Sequence, residues 1–272
     1  GTRKGKVHCQ DVEESKGNQM GEAYIVDAVR TPVGRRGGGL SGEHPADLGA
    51  HVIKGLVERT GIDPLAVDDV IMGCLDNMGP QAGDIARTAW LAAGMPEAIP
   101  GVTVDRQCGS GQQAVSFAAM GVMSGVQDMV VAGGIQNMSL IPIGSAMDVM
   151  GHETIGHPEI EDPFTTSKGW VDRYGTQEVS QFRGAELIAK KWDLSRLQLE
   201  EFALESHERA ARAQDEGRFD NEILSYGEID KDEGIRRGST LEKMAQLPTL
   251  EEGGVITAAV ASQISDGAVA LL

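Results

Sequence analysis

The residues with the clearest chemical potential surround Cys108. This cysteine follows the apolar run 102–105, and it precedes Gly109, Ser110 and Gly111 and a stretch of small residues typical of a helix. The order strand, cysteine, helix places the thiol at a helix N-terminus, where free backbone N–H groups and the helix dipole favour a thiolate. The glycines allow a substrate carbonyl to approach the backbone, so the N–H of Cys108 is a candidate oxyanion donor. The pattern indicates a nucleophilic cysteine that carries an acyl group.

Two other interpretations use the same residues. A cysteine beside a tight turn can be a buried structural residue. Gly109, Gly111 and Ala114 also satisfy G-x-G-x-x-A, the dinucleotide-binding fingerprint. That fingerprint requires an acidic residue about 20 positions later, at the end of the next strand. Asp128 comes too early and before that strand, which disfavours a nucleotide site.

The elements around Cys108 alternate between strands and helices. Strands are predicted at 23–26, 70–74, 102–105, 129–132 and 268–272. Helices are predicted from Pro45 to Gly61 and at 85–93 and 111–123. Because the strands are continuous apolar runs, we expect a mixed or parallel sheet with helices on both faces.

Residues 139–253 are more polar and have the pattern of a helical insertion with two helices. One of these begins with the capping-box pair Ser195 and Gln198 and ends at Gly217. Strand character returns at 268–272, where we expect an uncovered sheet edge and hence part of something larger. Residues 1–20 are hydrophilic and are predicted to be a disordered leader or a cloning remnant.

Composition excludes several classes of function. The chain has 24 Lys and Arg against 41 Asp and Glu, a formal charge of −17, which disfavours nucleic acid as a partner. No run of about 20 apolar residues predicts a membrane span, and no apolar segment near the start predicts secretion. Three cysteines suit a reducing compartment, so we expect a cytoplasmic protein. No His/Cys spacing suggests a metal site.

Six segments in order resemble motifs of the thiolases. Residues 105–114, D-R-Q-C-G-S-G-Q-Q-A, are similar to the active-site segment of that family. Residues 26–32 resemble the family's first strand and the loop after it, and residues 132–139 resemble its A-G-G-x-E-x-M-S segment. Residues 217–223 resemble its G-R-F-x-x-E-I segment and residues 238–244 its G-x-T-L-x-x-M segment. Residues 257–267 resemble the segment that begins T-A-G-N-A-S.

The resemblance implies the thiolase fold, in which two similar α/β halves each hold a five-stranded mixed sheet between helices. A loop domain that grips coenzyme A (CoA) is inserted in the first half. By this comparison, residues 21–138 and 255–272 form the first half, 139–254 form the loop domain, and the second half is absent from these residues. The family is usually dimeric or tetrameric, so a homodimer or homotetramer is expected.

The resemblance also implies the reaction. Cys108 would attack the 3-oxo carbon of a 3-oxoacyl-CoA and release acetyl-CoA, and a second CoA would resolve the acyl-cysteine. The reverse direction condenses two acyl-CoAs. The implied activity is that of a thiolase, or acetyl-CoA acyltransferase, in lipid breakdown and fatty acid β-oxidation. The resemblance implies CoA as a substrate and no permanently bound cofactor. The family's catalytic His, Asn and second Cys lie in the second half, so these 272 residues alone should be poorly active or inactive. The letters G-H-P at 156–158 are interpreted as coincidence, with His157 an ordinary loop histidine.

The remaining site predictions concern the substrate. The resemblance assigns Arg236 and its neighbour Arg237 to the adenosine phosphate of CoA, and Ala258 and Ser262 to the pantetheine arm. Tyr174 stands where the family often has Met and would reshape the acyl pocket.

Two departures from the family pattern are Gln136 for Glu and Ala259-Val260 for Gly-Asn. Alternative functions are a ketoacyl synthase, which shares the fold and a nucleophilic cysteine, and a non-catalytic acyl-CoA-binding protein or subunit.

Overall fold

The computed structural model describes residues 21–147 and 163–272. The strands are β1 Ala28–Arg30, β2 Gly34–Arg35, β3 Asp69–Gly73, β4 Gly101–Val104, β5 Val130–Asn137 and β6 Ser265–Leu271. The helices are α1 Pro45–Thr60, α2 Ile85–Ala92, α3 Ser110–Met123, α4 Lys168–Tyr174, α5 Gln181–Lys191, α6 Arg196–Asp215 and α7 Leu241–Ala245. The predictions for the leader 1–20 and for the G-H-P letters at 156–158 lie outside the described residues.

The strands form one mixed sheet in the order β1-β6-β5-β3-β4, with β2 also paired to β6. β3, β4 and β5 are parallel to one another, whereas β6 runs antiparallel to β5 and β1. The expected five-stranded mixed sheet is confirmed, with the two-residue β2 as an addition. The expectation that the last strand leaves an uncovered edge is wrong, because β6 lies between β1 and β5 and is paired on both sides.

The side chains of β3 point alternately into two hydrophobic clusters, one on each face of the sheet. Val70 and Met72 point into a large core with α1 and α2, which includes the fully buried Trp90. Ile71 points to the opposite face, where it packs in a smaller cluster with Ala114 and other residues of α3. Helices therefore cover both faces of the sheet, as the continuous apolar strands predict.

Local signals at the helix ends explain why most element boundaries are predicted well. Pro45 occupies the first turn of α1, and Gly61 ends it in the left-handed conformation at φ 67°. Ser195 and Gln198 form both bonds of a capping box at the start of α6.

The first predicted strand is misplaced by a few residues. Structure places β1 at Ala28–Arg30 and leaves Tyr24, Ile25 and Val26 exposed. The register of β6 decides this, since Ala28 pairs with Leu271. The chain before Ala28 meets only the terminal residue Leu272, through the N–H of Val26, which donates to Leu272 O, and through Asp27 O, which accepts from Leu272 N. An apolar run alone does not show which of its residues will face a partner strand.

The polar region after β5 contains more helices than the sequence predicts. Within its described part there are four, α4 to α7, and the two longest are α5 and α6. The additional ones are short, with seven residues in α4 and five in α7, so they carry little periodic signal. None of the described helices is long and apolar enough to cross a membrane.

Candidate functional site

The parallel strands β3, β4 and β5 bring their carboxyl ends to one edge of the sheet, where α/β proteins commonly bind ligands. Cys74 follows β3, Cys108 follows β4, and Gln136 lies near the end of β5. These three residues line a cavity of about 660 Å³, which we call the thiol cavity. Its apolar wall includes Val33, Leu75, Ile135, Met138, Ile143, Phe182 and Ile264.

A tight turn presents Cys108 to this cavity. Gln107 has a positive φ of 49°, and its N–H donates to Asp105 Oδ1 at 2.8 Å. Ser110 Oγ accepts from Arg106 N at 2.8 Å and donates to Gln107 O at 2.5 Å. Cys108 is exposed and directly precedes Gly109, the N-cap of α3. The structure therefore has the Cys108 thiol at a helix N-terminus, as predicted. The backbone N–H of Cys108 has no acceptor among the described residues.

Gly73, the last residue of β3, lets α3 approach the sheet at this turn. A Cβ atom on Gly73 would lie 2.2 Å from the carbonyl carbon of Ser110 and 2.3 Å from the nitrogen of Gly111. Backbone atoms at those distances cannot be displaced by a side-chain rotation. The first turn of α3, and with it Cys108, is seated directly on Gly73.

The second thiol of the cavity is in a different environment. Cys74 is 2% exposed and belongs to the main core. Burial raises the pKa of the Cys74 thiol to about 12, and the negative charges of Asp105 and Asp76 add to this. Cys74 is therefore a neutral thiol at physiological pH.

Two charged residues line the thiol cavity, and both are held by other protein groups. Asp266 is 1% exposed, and its carboxylate accepts from Ser139 N at 2.8 Å and from Ser139 Oγ at 2.6 Å. Arg30 donates to both carboxylate oxygens of Asp232 at 2.7 and 3.0 Å and to Glu222 at 2.8 Å. Sequence reasoning missed these groups, because the partners of Arg30 lie about 200 residues away and no local pattern connects them.

Arg236, Arg237 and Ala258 meet in a second cavity of about 520 Å³, which we call the arginine cavity. Arg237 is bound to Asp215 through two contacts of 2.8 Å. The guanidinium of Arg236 has no partner among the described residues, while its backbone N–H donates to His207 Nδ1 at 3.2 Å. Partial burial lowers the pKa of His207, and the positive charge of Arg236 lowers it further.

The other two predicted substrate residues are placed apart. Ser262 lines the thiol cavity together with Cys108. Tyr174, at the end of α4, lines neither cavity in the described part of the chain; its ring packs on Trp170 at 4.7 Å, and Arg173 lies over it at 5.1 Å. Its place in an acyl pocket stays a prediction. Among residues 21–147 and 163–272 there is no group of His, Cys, Asp or Glu suited to a metal ion.

The fold and the site together define an α/β protein with an exposed thiol at the carboxyl edge of a mixed sheet. The family model "Thiolase, N-terminal domain" matches residues 23–272. The chain belongs to the thiolase family, and the part present corresponds to its N-terminal domain.

Individual relatives agree with this assignment. A steroid 3-ketoacyl-CoA thiolase of Mycobacterium tuberculosis is 60% identical over 261 residues, which cover 94% of this chain and 63% of that protein. A β-ketoadipyl-CoA thiolase of Escherichia coli is 37% identical, with 93% of this chain and 66% of the relative covered. The crystal structure of the Bacillus anthracis acetyl-CoA acetyltransferase matches with a TM-score of 0.75 and 34% identity, covering 93% of this chain and 66% of that one. The chain thus spans just under two thirds of the length of these relatives.

Proposed function

We propose that the protein is an acyltransferase of the thiolase type, in which Cys108 carries the acyl group. It would cleave a 3-oxoacyl-CoA with CoA, or condense two acyl-CoAs in reverse. The observation that carries the proposal is the exposed Cys108 thiol, which opens into the thiol cavity just before the N-terminus of α3.

The thiolate of Cys108 attacks the 3-oxo carbon and forms a tetrahedral oxyanion. The unengaged N–H of Cys108 is a suitable donor to that oxygen. When the intermediate collapses, the bond between C2 and C3 breaks, the electron pair stays on C2 of the departing acetyl-CoA, and a proton completes that product. The thiol of a second CoA then attacks the acyl-cysteine, and the proton that it gives up balances the one taken up by acetyl-CoA, so Cys108 is restored as the thiolate.

The segment 258–264 supports a path for CoA between the two cavities. Ala258 and Ala259 line the arginine cavity, whereas Ser262, Gln263 and Ile264 line the thiol cavity. An extended pantetheine arm along this segment would join an adenosine phosphate near Arg236 to a thioester near Cys108. Arg236 is the better phosphate ligand of the arginine pair, because Arg237 is already bound by Asp215.

The names of the relatives indicate the class of substrate on which the protein would act. The 60% identity to a steroid 3-ketoacyl-CoA thiolase favours a 3-oxoacyl-CoA from lipid or steroid breakdown over β-ketoadipyl-CoA. We further infer a cytoplasmic homodimer or homotetramer with CoA as substrate and no resident cofactor. We also infer a loop domain at 139–254, where α4 to α7 lie.

Replacement of Cys108 by alanine tests the proposal. In the enzyme that carries this N-terminal domain together with its second half, we expect thiolysis of acetoacetyl-CoA, followed by the loss of its absorbance on adding CoA, to fall by about a thousandfold or more, because the proposed carrier of the acyl chain is removed. The thermal unfolding temperature should stay unchanged, since the Cys108 side chain is exposed. Equal rates for Cys108→Ala and the unmodified protein would overturn the proposal.

The two arginines should differ in their effect on CoA binding. Arg236→Ala is expected to weaken CoA binding about tenfold through the loss of a charge-assisted phosphate contact, and to leave binding of dephospho-CoA, which lacks the 3′-phosphate, unchanged. Arg237→Ala should affect both ligands alike, because its main contact is Asp215. Titration calorimetry with the two ligands measures this, and equal losses for Arg236→Ala with both would exclude a 3′-phosphate contact.

A further inference from the structure

Two carboxamides connect the wall of the thiol cavity to the sheet. Gln136 lies in β5 and lines the cavity, and Gln81 is completely buried. The Nε2 of Gln136 donates to Gln81 Oε1 at 3.3 Å. The Oε1 of Gln136 accepts from the backbone N–H of Leu75 at 3.2 Å and lies 3.7 Å from the Sγ of Cys74.

The four contacts of Gln81 fix which way its amide points. Its Nε2 donates to Leu75 O at 3.2 Å and to Asp76 O at 3.1 Å, while its Oε1 also accepts from Asn137 N at 2.9 Å. A flipped amide would set oxygen against two carbonyls and N–H against N–H. Gln81 therefore presents an acceptor to position 136, and the residue there must donate.

Position 136 is one of the departures from the family pattern, which has Glu. A carboxylate at this place would present only acceptors and would face the Oε1 of Gln81 oxygen to oxygen. Glutamine supplies both the donor for Gln81 and the acceptor for Leu75 and Cys74. Gln81 and Gln136 are thus a matched pair in this chain.

The pair acts on a thiol that the proposed reaction does not use. The Sγ–H of Cys74 has two acceptors, Leu75 O at 3.4 Å and Gln136 Oε1 at 3.7 Å. Burial of Cys74 holds this group in its neutral form. One acceptor, Leu75 O, belongs to the segment that the two glutamines hold in place, and the other belongs to Gln136 itself.

We propose that Gln136 is a positioning residue of the thiol cavity: with Gln81 it fixes the segment 74–76 and keeps Cys74 a bonded, inaccessible thiol, so that Cys108 alone takes the acyl group. This inference deepens the proposed function and rests on it for the acyl step. The protection of Cys74, however, is a property of the fold and can be measured without any acyl-CoA.

The test compares alkylation of the two cysteines by iodoacetamide at pH 8 in the full chain, with peptide mass spectrometry to separate them. In the unmodified protein Cys108 should react and Cys74 should stay protected. Both Gln136→Leu and Gln136→Met should raise the rate at Cys74 relative to Cys108 by about tenfold, the effect of losing one buried hydrogen bond. Methionine keeps nearly the length and volume of the side chain and adds no charge near Cys74, so a role in packing alone predicts no change for that variant.

Two control variants separate local release from general instability. Gln263→Leu changes a glutamine that lines the same cavity but donates to Gly234 O instead, and should leave Cys74 protected. Arg196→Met leaves the buried Glu200 without its ion pair and destabilises the helical region away from the cavity. In the Arg196→Met variant, Cys74 should also stay protected under native conditions.

The alkylation results for Cys74 test the role of Gln136 independently of the proposed acyl-transfer reaction. If Cys74 is as well protected in Gln136→Met as in the unmodified protein, the proposal is overturned. The Gln136→Met variant decides alone if Gln136→Leu does not fold. If Cys74 reacts as fast in Arg196→Met as in the Gln136 variants, the proposal is also overturned, because general destabilisation would then explain the faster alkylation. If acetoacetyl-CoA never acylates Cys108, the proposed function fails while the alkylation result for Cys74 still stands.

Discussion

Replacement of Gly73 by alanine is expected to lower the free energy of unfolding by about 3 kcal/mol, the upper range for forced overpacking. The added Cβ would overlap the backbone of Ser110 and Gly111, and neither can move without shifting the start of α3. The same shift displaces Cys108, so its alkylation rate should change as well. Urea denaturation measures the first effect, and iodoacetamide labelling measures the second.

Gly184→Ala is the matched control for this prediction. Gly184 lies inside α5, and a Cβ there would meet no atom within 4 Å. Alanine should therefore stabilise the chain by up to about 1 kcal/mol through its better helix propensity. If Gly73→Ala is as stable as the unmodified protein, α3 is not seated on β3 as described here.

Replacement of Arg30 by methionine is expected to cost about 3 kcal/mol, because it leaves a largely buried carboxylate without its partner. The side chains of Arg30 and Asp232 are only 19% and 14% exposed, and two hydrogen bonds join them. The bond from Val33 N to Asp232 would remain, but the charge of the carboxylate would be uncompensated. Urea denaturation at neutral pH measures the loss.

Two further variants test the cause of that loss. Arg209→Ala removes an exposed ion pair with Glu205 in α6 and should cost no more than about 0.5 kcal/mol. The double variant Arg30→Met with Asp232→Leu removes both charges and should recover part of the stability lost in Arg30→Met. A double variant less stable than Arg30→Met would show that the contribution of Arg30 does not come from compensating Asp232.

Local features of the sequence were enough to predict the surroundings of Cys108. The apolar run before it, the glycines beside it and the small residues after it together require a strand, a turn and a helix. The arrangement of β3, β4 and β5 then brings Cys108 to the cavity edge. The positive φ of Gln107 and the two bonds of Ser110 were not predicted, because they depend on the closed geometry of the turn.

The parts that the sequence did not predict depend on partners distant in the chain. Arg30 meets Asp232 and Glu222, and Gln136 meets Gln81, only after the chain has folded. The interior place of β6 follows from its pairing with β1, almost the full length of the chain away. Periodicity reports which residues are buried but not which strands are neighbours.

The most direct test of Cys108 as the acyl carrier is intact-protein mass spectrometry after brief exposure to acetoacetyl-CoA, with the modified peptide then sequenced. We expect the mass of one acetyl group on the peptide that contains Cys108, its absence in Cys108→Ala, and its removal by free CoA. A protein that gains no acetyl group, or that gains it on a residue other than Cys108, would contradict the role proposed for this cysteine.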